Sequence, residues 1–137
     1  MTRPVIDTDI IIRLVSGDDL VRQVAARDLF ARIERGEETT QAPVTVIADA
    51  VFVLASPQLY ALPRGEVAER LRALVRLPGF RVRDRRVVLR ALDVYESTRL
   101  DFGDAMIVAS AVASGSHAVY SYDRHFDRFP DIERIEP

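Results

Sequence analysis

The sequence predicts an α/β fold in which helices cover both faces of a parallel sheet of four to five strands, a three-layer α/β/α arrangement. Two observations predict it. Short apolar segments with strand character alternate with longer segments whose apolar residues recur at helical spacing. Turn-forming residues such as Gly36, Gly79 and Gly115 separate these segments. For 137 residues we expect a single domain spanning residues 1–137 with one core.

Capping residues set the limits of the elements in the first half of the chain. Asp18 or Asp19 can cap a long helix that Gly36 stops, and Pro43 suits the first turn of the next helix. The predicted elements are a strand at 4–7, a short helix through 14, a helix to about 35, a strand at 39–42, a helix at 43–55 and a loop at 56–63.

The second half continues the alternation. A helix at 65–76 and a helix at 85–97 each show one apolar face, and Gly115 is a good C-terminal residue for a third helix at 103–114. The strands are predicted at 80–83, 118–122 and 132–135, with a short helix starting at Asp123. The inward residues of the first two helices are Val67, Leu71, Leu74 and Val75, then Val88, Ala91, Leu92 and Tyr95.

The composition excludes several kinds of chemistry. The chain contains no cysteine, so it has no disulfide, zinc-thiolate site or thiol nucleophile, which fits a cytoplasmic location. All nineteen basic residues are arginine, so reactions that need a lysine are excluded. The first residues do not resemble a signal peptide. The uncharged run 105–122 is interrupted by a turn at 114–117, which predicts helix, turn and strand and no contact with a membrane.

The arginines are unevenly distributed. Between Arg64 and Arg90, nine arginines stand against three acids, although the whole chain carries a formal net charge of −2. So basic a segment in an acidic protein suggests a polyanionic partner, either RNA or an acidic part of a protein. The residues expected to contact it are Arg81, Arg83, Arg85 and Arg86.

Four aspartates stand nearly alone in apolar sequence. They are Asp7, Asp49, Asp104 and Asp123, each where a predicted strand or helix begins or ends or, for Asp49, within a helix. A carboxylate in a buried segment is unfavourable unless it is neutralised, and no lysine is present to do so. We therefore expect these four acids to bind a shared cation, most simply Mg²⁺ or Mn²⁺.

The expected topology permits this arrangement. In parallel α/β folds the site lies beyond the carboxyl ends of the strands, and Asp7 and Asp123 follow the first and fourth predicted strands. Asp101 lies one helical turn from Asp104, on the same side of the first turn. A cluster of carboxylates with hard divalent cations can hydrolyse a phosphodiester without a protein nucleophile, and no GxSxG motif or glycine-rich phosphate loop is present.

The motifs carry a resemblance over essentially the full length. VIDTDIIIRL, TVIADAVFVL, DFGDAMIVASA and YSYDRHFDRFP occur in an order that resembles the PIN-domain ribonucleases, and among them the VapC-type toxins of toxin–antitoxin pairs. The resemblance implies that Asp7, Asp49, Asp104 and Asp123 are the catalytic, metal-binding acids. Asp101 is then a companion acid and Ser121 a small hydroxyl two positions before Asp123. The second acid is usually glutamate, so Asp49 reaches one methylene less far.

The resemblance also implies a function. It implies a Mg²⁺- or Mn²⁺-dependent endoribonuclease that is the toxin of a type II toxin–antitoxin pair, with RNA as substrate, a cognate antitoxin as partner and a homodimer as its assembly. Where the family often has asparagine the chain has Asp9, which we expect to cap the first helix or add charge behind the site. Thr45 lies four residues before Asp49 and could orient it.

The sequence also predicts the positions of several aromatic, histidine and acidic residues, and it leaves three alternative functions open. Phe52, Phe102 and Phe126 are expected in the core, and Asp127, His117 and His125 on the surface. The alternatives are a haloacid-dehalogenase-like phosphatase, because VIDTDII loosely matches its nucleophile motif, and a phospho-acceptor receiver module. Both classes normally use a lysine, which is missing here. A PIN fold that has lost catalysis and serves as a binding module is the third alternative.

Overall fold

A computed structural model describes residues 2–137 of the chain. They form six α-helices, one 3₁₀-helix and four short strands. The chain divides into two compact units, one reaching to Arg85 and the other running from Arg86 to Pro137.

The first unit follows the predicted order of elements closely. Its helices and strands are α1 (Thr8–Ser16), α2 (Leu20–Glu34), β1 (Thr40–Ala42), α3 (Val44–Ala55), α4 (Arg64–Val75) and β2 (Phe80–Val82). Asp19 caps α2 by accepting a hydrogen bond from the Arg22 N–H at 3.1 Å, and Pro43 precedes α3 as its cap. The cap predicted for α2 is confirmed at Asp19, whereas Pro43, predicted as the first residue of its helix, lies one position earlier, at the N-cap.

β1 lies between two parallel neighbours in this unit. It pairs in parallel with β2, with Gln41 opposite Arg81, and Gln41 also bridges Val5 in parallel. The strand predicted at 4–7 is therefore only a single bridge, held by hydrogen bonds from the Ile6 N–H to the Gln41 carbonyl and from the Gln41 N–H to the Pro4 carbonyl. The chain turns into α1 at Thr8, too early for a longer ladder.

The core of the first unit lies between these strands and the helices. Phe30 of α2 meets Phe80 of β2 edge to face, with ring centroids 5.6 Å apart. Gly79 precedes β2 where a Cβ atom would lie 3.0 Å from the Ile33 carbonyl oxygen, so no larger residue fits without a shift. Fully buried side chains include Ile11, Ile33, Ile47, Leu54, Leu71 and Val75.

The second unit contains α5 (Arg85–Ser97), which begins at the unit boundary, then α6 (Phe102–Ser114), β3 (Ala118–Tyr120), the 3₁₀-helix η1 (Arg124–Arg128) and β4 (Glu133–Ile135). β3 and β4 pair in parallel. Gly115 ends α6 in the left-handed conformation at φ 80°, as predicted. The core cluster consists of Leu100, Val108, Ala111, Val119, Phe126 and Ile132.

Both predicted inward faces of the middle helices are confirmed. The four predicted residues of α4 and the four of α5 are all buried. The strands are shorter than predicted, and they form two parallel pairs, β1–β2 and β3–β4, each within its own unit. No helix among residues 2–137 has the length and apolar character needed to cross a bilayer.

Candidate metal-binding and catalytic site

Asp7 lies at the start of α1, directly after the segment that pairs with β1. It is the N-cap of this helix, and its Oδ1 accepts a hydrogen bond from the Thr8 N–H at 2.7 Å. Asp9 was expected either to cap this helix or to add charge behind the site. The cap is wrong, because Asp9 lies in the first turn with its carboxylate 3.3 Å from the Arg13 Nε, and the second alternative stays a prediction. Asp7 is exposed, so its second carboxylate oxygen is open to solvent or to a ligand.

The second predicted acid lies on the open face of α3. This helix has three exposed residues, Thr45, Asp49 and Phe52, at positions that share one helical stripe. The expectation that Asp49 is buried is therefore wrong. Phe52, expected in the core, has 75% of its surface exposed. The hydrogen bond by which Thr45 would orient Asp49 is not present among the described residues.

Asp101 and Asp104 lie together at the start of α6. Asp101 is the N-cap, and its Oδ1 accepts a hydrogen bond from the Asp104 N–H at 2.8 Å. Asp104 occupies the first turn and is half-buried, whereas Asp101 is exposed. The favourable interaction of both carboxylates with the helix N-terminus partly offsets the repulsion between them.

Asp123 is held at the start of η1 by its neighbours in sequence. The Ser121 hydroxyl oxygen accepts a hydrogen bond from the Asp123 N–H at 3.0 Å. The Asp123 Oδ1 in turn accepts one from the His125 N–H at 3.2 Å and caps the 3₁₀-helix. Ser121 therefore fixes the backbone of Asp123, which places its carboxylate without touching it.

His125 lies between two of the predicted acids. Its Nδ1 is 2.9 Å from the Asp123 Oδ1, and its Nε2 is 3.3 Å from the Asp104 Oδ2. One face of the ring meets Phe126 edge to face, at a centroid distance of 4.5 Å. The expectation that His125 is a surface residue is wrong, since only 25% of its side chain is exposed and it links α6 to η1.

The carboxylates around Asp104 perturb its ionisation. Burial is the main cause that raises the pKa of Asp104, and the negative charge of Asp101 raises it further. His125 acts in the opposite direction, and Asp123 adds a smaller upward effect. The pKa of Asp104 is therefore raised by burial and by the two neighbouring acids, although His125 lies close enough to oppose the shift.

This donor set fits a hard divalent cation in its chemistry. Asp104, Asp101 and Asp123 provide carboxylate oxygens near one another in the second unit, and such oxygens are the ligands that Mg²⁺ and Mn²⁺ prefer. Across residues 2–137, no three acidic or histidine side chains already stand in the arrangement that holds an ion.

The four predicted arginines differ in their surroundings. Arg81, Arg83 and Arg86 are exposed, and β2 alternates as predicted, with Phe80 and Val82 buried on either side of Arg81. Arg85 is half-buried and donates from Nη2 to the Leu77 and Phe80 carbonyls, at 3.0 and 2.8 Å. These hydrogen bonds stabilise the turn that leads into β2. The Arg85 guanidinium is therefore engaged within the protein and is not expected to contact a polyanion.

A family model named PIN domain matches residues 5–132. The chain belongs to the PIN-domain family. Comparison with curated proteins gives no match. The PIN domain is an α/β fold, and the six helices and parallel strands agree with this class, so the predicted three-layer α/β/α class is confirmed. Membership argues against the phosphatase and receiver hypotheses, which belong to other folds.

PIN domains are typically metal-dependent nucleases. The assignment of Asp7, Asp49, Asp104 and Asp123 as the acids of such chemistry stays a prediction from the sequence. Sequence reasoning missed His125 in this PIN domain. One feature of the sequence could have indicated the contact between His125 and Asp123. His125 lies two residues after Asp123, which was predicted to begin a helix, and an N-cap carboxylate accepts a hydrogen bond from the backbone N–H at that position. His117 and Asp127 are exposed, as predicted.

Proposed function

We propose that the chain is a Mg²⁺- or Mn²⁺-dependent endoribonuclease that hydrolyses RNA phosphodiesters, and that it is the toxin component of a type II toxin–antitoxin pair. The observation that carries the nuclease proposal is the crowded acid cluster of Asp101, Asp104 and Asp123 in a PIN domain. The resemblance of the four motifs to VapC-type toxins supports the finer assignment.

In this proposal Asp7, Asp49, Asp104 and Asp123 are the metal-binding acids, as the resemblance of the motifs implies. The chemistry that a bound divalent ion would supply at such acids is neutralisation of phosphate charge and activation of a water molecule as the nucleophile. The chain itself positions the acids. Asp101 fixes the first turn of α6 through the Asp104 N–H, and Ser121 fixes the backbone of Asp123.

The test is cleavage of labelled single-stranded RNA by the purified protein in Mg²⁺ or Mn²⁺, compared with EDTA. We expect Asp7→Asn and Asp104→Asn each to lower the cleavage rate by about 10²-fold or more, because loss of one carboxylate weakens cation binding and water activation together. Asp131→Asn is the matched control, since it makes the same change at an exposed acid outside the motifs.

Circular dichroism would verify that each variant is folded. A folded Asp7→Asn or Asp104→Asn protein that cleaves at the wild-type rate would overturn the assignment of that acid. If the wild type binds RNA and never cleaves it, the alternative of a catalytically inactive PIN binding module is favoured instead.

A protein partner is part of the proposal. Leu20, Val21 and Val24 lie exposed at the start of α2, with exposures of 72, 82 and 63%. An apolar group of this kind on one helix supports a contact with another chain, either the antitoxin or a second copy in a homodimer.

Growth arrest on expression, relieved by Asp104→Asn and by co-expression of a cognate antitoxin, would support the toxin role. Expression of an active nuclease without growth arrest would contradict it.

A further inference from the structure

We infer that a small pocket beside the acid cluster binds the nucleotide next to the scissile phosphate of the RNA, an inference that rests on the proposed nuclease function. The pocket has a volume of about 240 Å³ and is lined by Thr98, Arg99, Leu100, His125, Arg128 and Phe129. All six residues belong to the second unit. Sites for drug-sized ligands typically measure about 300–1,000 Å³, so this pocket has room for no more than about one base or ribose.

The pocket shares a wall with the acids. His125 lines it and also lies 3.3 Å from Asp104 and 2.9 Å from Asp123. An RNA whose phosphate lies at these acids therefore has a cavity directly beside that phosphate, which one neighbouring nucleotide can enter.

The pocket also provides the charge that the acids lack. Arg99 and Arg128 are exposed, and within residues 2–137 neither guanidinium forms an ion pair or hydrogen bond. Asp101, Asp104 and Asp123 repel the phosphates of an approaching RNA. Two unpaired guanidinium groups at the pocket offset this repulsion and match the geometry of phosphate oxygens.

The floor and one wall are rigid and apolar. Leu100 is buried in the core cluster, and the half-buried Phe129 packs against that cluster. The Thr98 hydroxyl donates to the Val94 carbonyl at 2.7 Å and accepts from the Leu100 N–H at 3.2 Å, which fixes the segment that carries Arg99. A base or ribose can lie on an aromatic and aliphatic floor of this kind while its phosphate meets the arginines.

The experiment measures binding of a short fluorescein-labelled single-stranded RNA in EDTA, so that no cleavage occurs. We compare the double variant Arg99→Gln/Arg128→Gln with Arg3→Gln/Arg27→Gln, which removes two exposed arginines of the first unit that lie outside the pocket. The pocket variant should bind about ten-fold more weakly, and its slope of log K against log salt should fall by about 1–2, because up to two phosphate contacts are lost.

Arg99→Lys/Arg128→Lys keeps the charge and loses the planar guanidinium groups, so it should restore the salt slope and recover only part of the affinity. Wild-type protein that cleaves RNA in Mn²⁺, together with a pocket variant that binds like the control, would overturn the pocket and leave the nuclease proposal standing. Wild-type protein that neither binds nor cleaves RNA would overturn the nuclease proposal and the pocket with it.

Discussion

Asp104 is the acid of the cluster whose pKa is shifted by its surroundings. Burial and the neighbouring Asp101 raise its pKa above the ordinary value of 3.8, so the folded state binds this proton more tightly than the unfolded state does. The stability that this provides is complete below pH 3.8 and is lost as the pH rises through the raised pKa. At neutral pH the charged carboxylate therefore destabilises the metal-free protein.

We predict that Asp104→Asn raises the melting temperature in EDTA at neutral pH, because the amide removes the charge while keeping the shape. The gain should shrink as the pH is lowered toward 3.8, where the wild-type carboxyl is itself protonated. Thermal unfolding over this pH range, with Asp131→Asn as control, measures the effect. A lower melting temperature at neutral pH would show that the contact of Asp104 with His125 stabilises the fold.

Asp49 leads to a different expectation from Asp104. It is exposed on α3, so its replacement removes no unfavourable buried charge. We predict that Asp49→Ala changes the free energy of unfolding in EDTA by no more than about 0.5 kcal/mol, as is usual for surface substitutions. Cleavage of RNA should nevertheless fall strongly in the same variant. Denaturant unfolding in EDTA checks the first part, and a loss well above that range would indicate a structural role for Asp49.

At the scale of elements, the helix limits could be predicted because they depend on local chemistry. Asp19, Pro43 and Gly115 each act on the backbone beside them, so their effect is readable from sequence. The exposed stripe of α3 could not be predicted in this way. The helix is apolar on nearly every side, and the packing of distant elements decides which side stays exposed. Asp49 and Phe52 were therefore expected to be buried, although both are exposed.

The position of His125 had the same kind of cause. Its contact with Asp123 is local, but its contact with Asp104 joins η1 to α6 and depends on how β3 returns the chain. The candidate acids themselves were recognisable because charges are rare in the apolar motifs around them. The composition and order of the motifs therefore suffice to predict candidate acids, and they do not predict the side chain that lies between Asp104 and Asp123.

The connection between α1 and α2 is tied to the loop after α3 by one polar cluster. The Tyr60 hydroxyl donates to the Asp18 Oδ2 at 2.6 Å, and the Ser16 hydroxyl donates to Oδ1 at 2.7 Å. The hydrogen bond from Tyr60 is the largest cause that lowers the pKa of Asp18 to about 2 from its ordinary 3.8, followed by that from Ser16. The ionised carboxylate therefore stabilises the fold above pH 3.8, and this contribution is lost as the pH falls through about 2.

We predict that Tyr60→Phe lowers the melting temperature at neutral pH and raises the pKa of Asp18 toward its ordinary value. The difference from wild type should diminish as the pH falls from 3.8 toward 2, because the carboxylate that accepts the hydrogen bond is then protonated. Thermal unfolding against pH tests the first part and an NMR titration of Asp18 the second. Tyr122→Phe, at a tyrosine with 70% exposure, is the control and should show no pH-dependent difference.

For the whole molecule, charge segregation is the main feature that the fold does not explain. The net charge is −2, yet the stretch from Arg64 to Arg90 holds nine arginines and three acids. Arg85 is used internally, whereas Arg81, Arg83 and Arg86 are exposed and form no ion pair within residues 2–137. Exposed positive charge without internal partners is consistent with long-range attraction of a polyanion such as RNA.

We predict that reversing these three charges, Arg81→Glu with Arg83→Glu and Arg86→Glu, weakens the binding of long RNA and flattens its salt dependence, because fewer counterions are released on binding. Each lost phosphate contact should lower the slope of log K against log salt by about 1. The matched control replaces the same three arginines with lysine, which keeps the charge and should keep most of the slope. Arg85 is left unchanged in both proteins, because it holds the turn before β2.

Cleavage of a very short RNA separates this long-range role from the chemistry. If the three arginines act only by attracting long RNA, a substrate that occupies only the acids does not use them, so its cleavage rate should change far less than the binding of long RNA. If the glutamate and lysine variants bind long RNA with equal affinity and equal salt slope, the three arginines are only solvent-exposed surface residues that do not contact RNA. Equal losses for long and short substrates would instead place them next to the reacting phosphate, where they would act on the chemistry itself.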